Sequence, residues 1–102
     1  MVKPCILLID DDIKLLTKME STLRRAGYRV LTAHEGRQAV YLAQAALPEV
    51  IVCDATTSSL NGFEVKQTLA QDSQTASIPF LFFNKSDGPN SCLGRWEHRA
   101  IR

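Results

Sequence analysis

The segment CILLIDDD, residues 5–12, sets five apolar residues directly before three aspartates. A continuous apolar run of this length is typical of a parallel β-strand that is covered on both faces. The pattern returns at residues 50–54, VIVCD, where an apolar run ends in a single carboxylate. Because a buried carboxylate is costly to desolvate, Asp54 needs either a function or a partner.

Helical patterns alternate with strand patterns along the chain. The predicted strands are residues 5–9, 28–33, 50–53 and 78–83, and the predicted helices are residues 12–26, 36–47 and 63–71. The apolar stripes of the first two helices include Ala26, Ala46 and Leu47 near their ends. Pro79 fits a strand only at its first residues. The order β-α-β-α-β-α-β predicts an α/β fold with a doubly wound parallel sheet and right-handed crossovers.

Composition limits the possible functions. A chain of 102 residues that is 45% hydrophobic suits one small domain. Twelve Lys and Arg against eleven Asp and Glu give no overall field toward nucleic acid or membrane, so neither partner is expected. The three cysteines lie far apart, which favours a reducing cytoplasm and no thiolate metal site. The first apolar run is too short for a signal peptide or a membrane span, so we expect a soluble cytoplasmic protein.

The aspartates after the first and third strands are the candidate site. Ligands of doubly wound sheets bind at the carboxyl ends of the strands, near the point where the strand order reverses. If these two strands are neighbours, three or four carboxylates converge and need a counter-ion, for which Mg²⁺ is suited. A structural interpretation is that Asp10 and Asp12 cap the first helix, and it accounts for Asp12.

Four segments resemble the receiver domain of bacterial two-component response regulators: CILLIDDD, LRRAGYRVLTAHEGRQAV, LPEVIVCDATTSSLNGFEV and IPFLFFNK. The resemblance covers most of residues 5–85. It implies a flavodoxin-like sheet with strand order 2-1-3-4 and a phosphoacceptor at Asp54. It also implies a Mg²⁺ site formed by Asp10, Asp11 and Asp54 with the backbone carbonyl of Thr56.

The implied function is that of a stand-alone receiver. Asp54 would accept a phosphoryl group from a histidine kinase or a phosphotransfer protein in a Mg²⁺-dependent reaction. The added charge, roughly −1.5 to −2, is enough to reorder a nearby loop. The domain is therefore expected to be a signalling switch and not an enzyme acting on a free substrate.

The chain departs from the family pattern at several positions. Asn84 stands where the family has Ser or Thr, Ser58 replaces a proline, and Asn61 replaces an aspartate. The family's lysine at the end of a fifth strand has no counterpart after residue 85. Lys85 is a candidate substitute, and its alternative interpretation is a solvated loop lysine.

The resemblance stops at the C-terminal end. Residues 1–85 are therefore interpreted as the receiver-like domain and residues 86–102 as an atypical tail. Two explanations fit the tail: the receiver is truncated or frame-shifted, or it is a variant that replaces the family's C-terminal elements in another way. The fifth strand and the last helix are missing or replaced, although a short helix around Trp96 could cover the sheet. Without a fifth strand, the fourth is an edge. We expect a homodimer, exchange of elements across that strand, or cover by the tail.

Two other functions remain open. A degenerate receiver would keep the fold and act by protein contact without phosphorylation. A haloacid-dehalogenase-type phosphatase is suggested by the D-x-D spacing of residues 10–12, although Lys14 departs from that motif. No G-x-G-x-x-G follows the first strand, which disfavours a dinucleotide site. His34 and His98 are isolated and are interpreted as solvated or structural.

Overall fold

A computed structural model describes residues 3–55 and 61–84 of the chain. In this part, four strands alternate with three helices, as the sequence predicts. The strands are β1 (Cys5–Ile9), β2 (Arg29–Ala33), β3 (Val50–Asp54) and β4 (Phe80–Phe83). The helices are α1 (Ile13–Arg25), α2 (Gly36–Ala46) and α3 (Gly62–Ala70).

The sheet has the order β2-β1-β3-β4, and every pairing is parallel. This confirms the flavodoxin-like order 2-1-3-4. From β1 the chain crosses to β2 on one side and then returns to β3 on the other, so the strand order reverses between β1 and β3. Ile9 is paired with Cys53 at this point, close to the carboxyl ends of both strands. A ligand site is expected there.

Successive side chains of each strand enter two separate cores. Ile6 and Leu8 of β1 belong to the core that α1 covers, together with Val52 of β3. Leu7 and Ile9 belong to the core that α2 and α3 cover. All five residues of β1 are buried, which explains why the strand is a continuous apolar run without polar alternation.

The ends of the first two helices differ from the predicted stripes. Asp12 is the N-cap of α1, and its side chain accepts a hydrogen bond from the backbone N–H of Leu15, as the capping interpretation predicts. Ala26, Ala46 and Leu47 were predicted on apolar faces, and this is wrong because all three are exposed. Ala26 and Leu47 are C-cap residues, and Leu47 adopts a left-handed conformation with φ of 48°.

The fourth strand begins two residues later than predicted. The backbone N–H of Ile78 donates to the carbonyl of Thr75 in a turn, so it is not part of the ladder. The Pro79 carbonyl accepts a 2.9 Å hydrogen bond from the backbone N–H of Ile51. Pro79 has no N–H to donate, so it can join the sheet only through this carbonyl at the entrance of the strand.

Several predictions fall outside the described residues. They concern Thr56, Ser58, Lys85, the short helix around Trp96 and the missing fifth strand. The division at residue 85 therefore remains a prediction. None of the described helices has the length and apolar character needed to cross a lipid bilayer.

Candidate functional site

Two aspartates are almost completely buried at the carboxyl edge of the sheet. Asp10 is 0% exposed and Asp54 is 1% exposed. Asp54 is the last residue of β3, and Asp10 directly follows β1. Since Ile9 pairs with Cys53, the two aspartates occupy the next position on neighbouring strands, which lie roughly 4.8 Å apart in such sheets. The structure thus brings together two of the predicted site residues.

Both aspartates also belong to the same face of the sheet. The Asp10 backbone N–H donates to the Ala33 carbonyl at 3.1 Å, which continues the ladder one residue beyond β1. Side chains alternate along a strand, so Asp10 follows Leu8 and Asp54 follows Val52 on the face that α1 covers. Their carboxylates are therefore placed on one side of the sheet.

The other two aspartates of the acidic run have different environments. The backbone N–H of Asp12 donates to Asp10 Oδ1 at 3.1 Å, which holds the Asp10 carboxylate at the turn into α1. Asp12 itself is exposed and caps α1. Asp11 lies between them and is exposed. A metal ligand at Asp11 would therefore be at the solvent side of the two buried carboxylates.

The pKa of the Cys53 thiol reflects the negative charges at this edge of the sheet. The thiol is fully buried on the other face of β3, and burial together with the charges of Asp54 and Asp10 raises its pKa to about 12. Burial is the largest of these causes. The two carboxylates act on the thiol in the same direction because each disfavours a second negative charge nearby. Cys53 is therefore a neutral thiol at physiological pH, consistent with a small apolar residue.

The first turn of α3 is fixed by its own residues and by β4. Asn61 has a left-handed backbone with φ of 51°, and its side chain accepts a hydrogen bond from the Glu64 backbone N–H. Its amide also donates to the Glu64 carboxylate at 2.9 Å. Phe63 stacks on Phe82 of β4 with ring centroids 4.6 Å apart. The N-x-x-E spacing that predicts such a cap was present in the sequence but was assigned only to the family motif.

The donor set at this edge fits Mg²⁺ in its chemistry. Mg²⁺ is usually held by one or two carboxylates with water molecules and other oxygens, and Asp10 and Asp54 supply two buried carboxylates. Within residues 3–55 and 61–84, no group of three or more His, Cys, Asp or Glu side chains is arranged to hold a metal ion. Thr56, the predicted carbonyl ligand, lies outside these ranges.

The predicted switch residues are only partly described. Asn84 directly follows β4 and is exposed at the same edge, one position beyond the pair formed by Asp54 and Phe83. The backbone N–H of Ala55 donates to the Phe83 carbonyl at 2.8 Å, which keeps β3 and β4 in register up to this point. Lys85 lies outside the described residues.

A groove of about 370 Å³ lies between α2 and α3, apart from the two buried carboxylates. Arg37 and Val40 line it from α2, and Glu64 and Thr68 line it from α3 together with the N-cap residue Asn61. Of the predicted site residues that the structure describes, Asp10, Asp11, Asp54 and Asn84, none lines this groove. The candidate site is therefore an edge of the sheet and not this cavity.

Comparison with known proteins gives consistent matches. The family model for the response regulator receiver domain matches residues 6–90. Protein PilH of Pseudomonas aeruginosa is 33% identical over 82 residues, which cover 80% of this chain and 68% of that protein. The chain spans only 33% of the length of two transcriptional regulatory proteins that it also matches.

Solved structures show the same fold. The chemotaxis response regulator CheY4 of Vibrio cholerae superposes with a TM-score of 0.75 at 32% identity, covering 88% of this chain and 75% of that one. The receiver domain of the Pseudomonas aeruginosa sensor histidine kinase PA1611 superposes with a TM-score of 0.82 at 19% identity, covering 95% and 97%. That structure has a magnesium ion coordinated in its active-site cleft.

Proposed function

The chain belongs to the family of response regulator receiver domains, and we propose that its Asp54 accepts a phosphoryl group in a Mg²⁺-dependent reaction. The observation that carries the proposal is the burial of Asp54 beside Asp10 at the reversal point of the sheet. A buried carboxylate has a high desolvation cost, and buried carboxylates that cluster at this edge of a doubly wound sheet are typical of functional sites. Because the chain belongs to the receiver-domain family, we do not retain the interpretation as a haloacid-dehalogenase-type phosphatase.

The reaction follows from the chemistry of a carboxylate. An oxygen of Asp54 attacks the phosphorus of a phosphohistidine, the P–N bond breaks, and the histidine nitrogen takes up a proton. The product is an acyl phosphate on Asp54. A bound Mg²⁺ would supply charge neutralisation for the transferring oxygens, and Asp10, Asp11 and Asp54 with the Thr56 carbonyl would hold it.

Asn84 and Lys85 are proposed to respond to the phosphorylation of Asp54. Asn84 replaces the usual hydroxyl residue, and its amide can donate a hydrogen bond to a phosphoryl oxygen. Lys85 is proposed as the cation that replaces the family's lysine. Both residues follow β4, the strand that pairs with β3 at Asp54. They would therefore respond to a new charge on Asp54.

The domain is proposed to act as a signalling switch in the cytoplasm. The partner that supplies the phosphoryl group is a histidine kinase or a phosphotransfer protein. We also propose that β4 pairs with a second copy or exchanges elements with it, since β4 is an outer strand in the described part of the sheet. Phe80, Leu81 and Phe82 are only partly buried, which supports an interface on this strand.

The phosphorylation proposal can be tested directly. Purified protein is incubated with Mg²⁺ and phosphoramidate, a small donor that carries a P–N bond, and its intact mass is measured. We expect a phosphate-sized gain in the wild type and none in Asp54→Asn. Asp72→Asn is the matched control, because Asp72 lies beyond α3 and accepts a hydrogen bond from Gln44.

A degenerate receiver is the second candidate, and the replacement of the usual hydroxyl residue by Asn84 favours it. It predicts Mg²⁺ binding without any gain in mass. Calorimetric titration with Mg²⁺ on the same samples separates the two functions. A mass gain that persists in Asp54→Asn would contradict the assignment of the acceptor.

Oligomeric state is measured separately by light scattering over a range of protein concentrations. We expect the average mass to rise toward that of a dimer, and to rise less in Leu81→Lys. A wild type that remains a monomer at every concentration would contradict pairing through β4.

A further inference from the structure

Asp12 forms hydrogen bonds in two directions. Toward the sheet, its backbone N–H donates to Asp10 Oδ1 at 3.1 Å. Toward α1, its Oδ1 accepts from the Leu15 N–H at 3.1 Å, and its carbonyl accepts from the Leu16 N–H at 3.0 Å. One exposed residue therefore connects a buried carboxylate of the candidate site to the first turn of a helix.

The backbone and the side chain of Asp10 are held by different bonds. Its N–H donates to the Ala33 carbonyl at 3.1 Å, which ties its backbone to the end of β2. Its side chain accepts from the N–H of Asp12 in the local turn that aspartate often forms with the backbone two residues further on. The second bond fixes the rotation of the carboxylate group. Carboxylates that bind metal ions are generally oriented by hydrogen bonds of this kind.

The conformation of Asp12 makes its bonds compatible. Its backbone is extended, with φ of −87° and ψ of 99°, as is usual for an N-cap residue. In this conformation the N–H bonds to Asp10 while the side chain bonds to the Leu15 N–H. The cap stabilises this conformation because it satisfies an N–H of the first turn that has no partner within the helix. The cap thereby also stabilises the bond to Asp10.

The start of α1 has a defined position on the sheet. Leu16 is buried in the same core as Leu8 of β1, and Leu15 packs against this core. Asp10 follows Leu8 on the same face of the sheet. Because the first turn of α1 is fixed against the sheet, a residue bonded to both can hold the Asp10 carboxylate in one orientation.

We propose that Asp12 is a positioning residue for Mg²⁺, because its cap on α1 maintains the hydrogen bond that orients the Asp10 carboxylate. This inference rests on the proposed Mg²⁺-dependent phosphorylation of Asp54. In this role Asp12 acts through Asp10 and does not bind the ion. The coupling is reciprocal by thermodynamic necessity, so bound Mg²⁺ in turn stabilises the first turn of α1.

Two neutral substitutions of Asp12 separate the cap from the charge. Asp12→Ser keeps an oxygen that can cap the helix and Asp12→Ala does not, while both remove the same negative charge. Mg²⁺ is titrated into the 102-residue protein and its variants by calorimetry. The dissociation constant of Asp12→Ala should be about fivefold that of Asp12→Ser, since loss of the cap lowers the population of the bonded turn. Asp12→Asn also caps, and it should match Asp12→Ser within about twofold.

Gly27→Ala is the control for a general loss of stability in α1. Gly27 follows the other end of this helix with φ of 103°, which strains any residue other than glycine, although an added Cβ meets nothing within 4 Å. This variant should lower the melting temperature and keep the wild-type Mg²⁺ affinity. A loss of affinity as large as that of Asp12→Ala would show that affinity follows stability, and would overturn the inference.

Amide hydrogen exchange tests the reciprocal effect in the wild type and needs no substitution. Mg²⁺ at saturation should slow exchange of the Leu15 and Leu16 N–H groups about fivefold, because the first turn opens less often. The Ala39 N–H is the matched control, since it donates to the Glu35 carbonyl at the start of α2. That helix covers the other face of the sheet, so exchange of Ala39 should not change.

The outcomes separate this inference from the proposed function. Equal Mg²⁺ affinities in folded Asp12→Ala and Asp12→Ser would overturn the inference, as would exchange at Leu15 that does not respond to Mg²⁺. Neither result would affect the phosphorylation of Asp54, which is measured by mass. A wild type that binds Mg²⁺ but takes up no phosphoryl group overturns the proposed function, and the two affinities still decide the inference. A wild type that does not bind Mg²⁺ overturns both.

Discussion

The two ends of the sheet use carboxylates in opposite ways. At the amino end, Glu49 is exposed, its carboxylate accepts a hydrogen bond from the Cys5 backbone N–H, and its own N–H donates to the Cys5 carbonyl at 2.9 Å. At the carboxyl end, Asp10 and Asp54 are buried. Because the Glu49 carboxylate is exposed, its hydrogen bond with Cys5 at the amino end of the sheet has little desolvation cost. Burying two carboxylates is costly in desolvation, so the two ends of the sheet give a carboxylate very different environments.

The strands connect the two ends of the sheet. Of the substitutions considered, we expect the largest loss of stability from those in the strands. Leu8 is fully buried in the centre of β1, so Leu8→Ala should lower the free energy of unfolding by about 3 kcal/mol. Leu81→Ala on the partly buried β4 should cost about 1 kcal/mol, since less of that side chain leaves water. Urea denaturation measures both values. Equal losses would show that β4 is as well covered as β1.

The next effect concerns the carboxyl end alone. Asp10→Asn should lower the phosphorylation rate about 100-fold or more, because it removes a charge that would hold the metal. Without Mg²⁺, the free energy of unfolding should rise, because a neutral amide of the same shape loses less solvation on burial than the Asp10 carboxylate. The rate is followed by intact mass with Mg²⁺ and phosphoramidate. Unchanged phosphorylation in Asp10→Asn would place the metal elsewhere.

The amino end should show the reverse behaviour. Glu49→Gln should lower the free energy of unfolding by about 1 kcal/mol, because a neutral amide accepts a weaker hydrogen bond from Cys5. The phosphorylation rate should not change. Glu35→Gln is the control, since Glu35 is the N-cap residue of α2 and its side chain makes no capping hydrogen bond. A change in rate in Glu49→Gln would show that the two ends are coupled.

The smallest effect is a pH dependence at the amino end. Burial raises the pKa of the Cys5 thiol above its ordinary value of 9.0, with Arg29 lowering it and Glu49 raising it. The neutral thiol therefore contributes stability that is fully present below about pH 9 and is lost as the pH rises through the raised pKa. The slope should be at most about 1.4 kcal/mol per pH unit. Thermal melts of Cys5→Ser, which has no thiol to titrate, should show a shallower decline at alkaline pH.

The sequence was sufficient to predict the order of elements and the two buried aspartates. Continuous apolar runs predict buried parallel strands, and the residues that end β1 and β3 then meet at one edge. Helix ends were predicted less well. The stripe of α2 extends to Leu47 in the sequence, but the helix ends at Ala46 because Leu47 turns into a left-handed conformation before Pro48.

The close contact of Cys53 with Gly62 could not be predicted. The two residues are separated by a loop, and a Cβ atom added to Gly62 would lie 2.7 Å from Cys53 Sγ because of how α3 packs on the sheet. The only signal was a glycine directly after Asn61, which also fits a turn. Spacing alone does not distinguish a glycine required by backbone conformation from one required by space.

The position of β1 also determines how the chain can acquire its structure. β1 is the first strand of the described chain, yet it lies between β2 and β3, so Cys5 pairs with Arg29 and Ile6 pairs with Val50. β1 must therefore remain without its neighbour β3 until more than half of the described chain has been synthesised. Such long-range parallel pairings form slowly. A nascent chain that pauses before Val50 would leave β1 without its β3 neighbour, so this apolar strand would be open to incorrect pairing during synthesis.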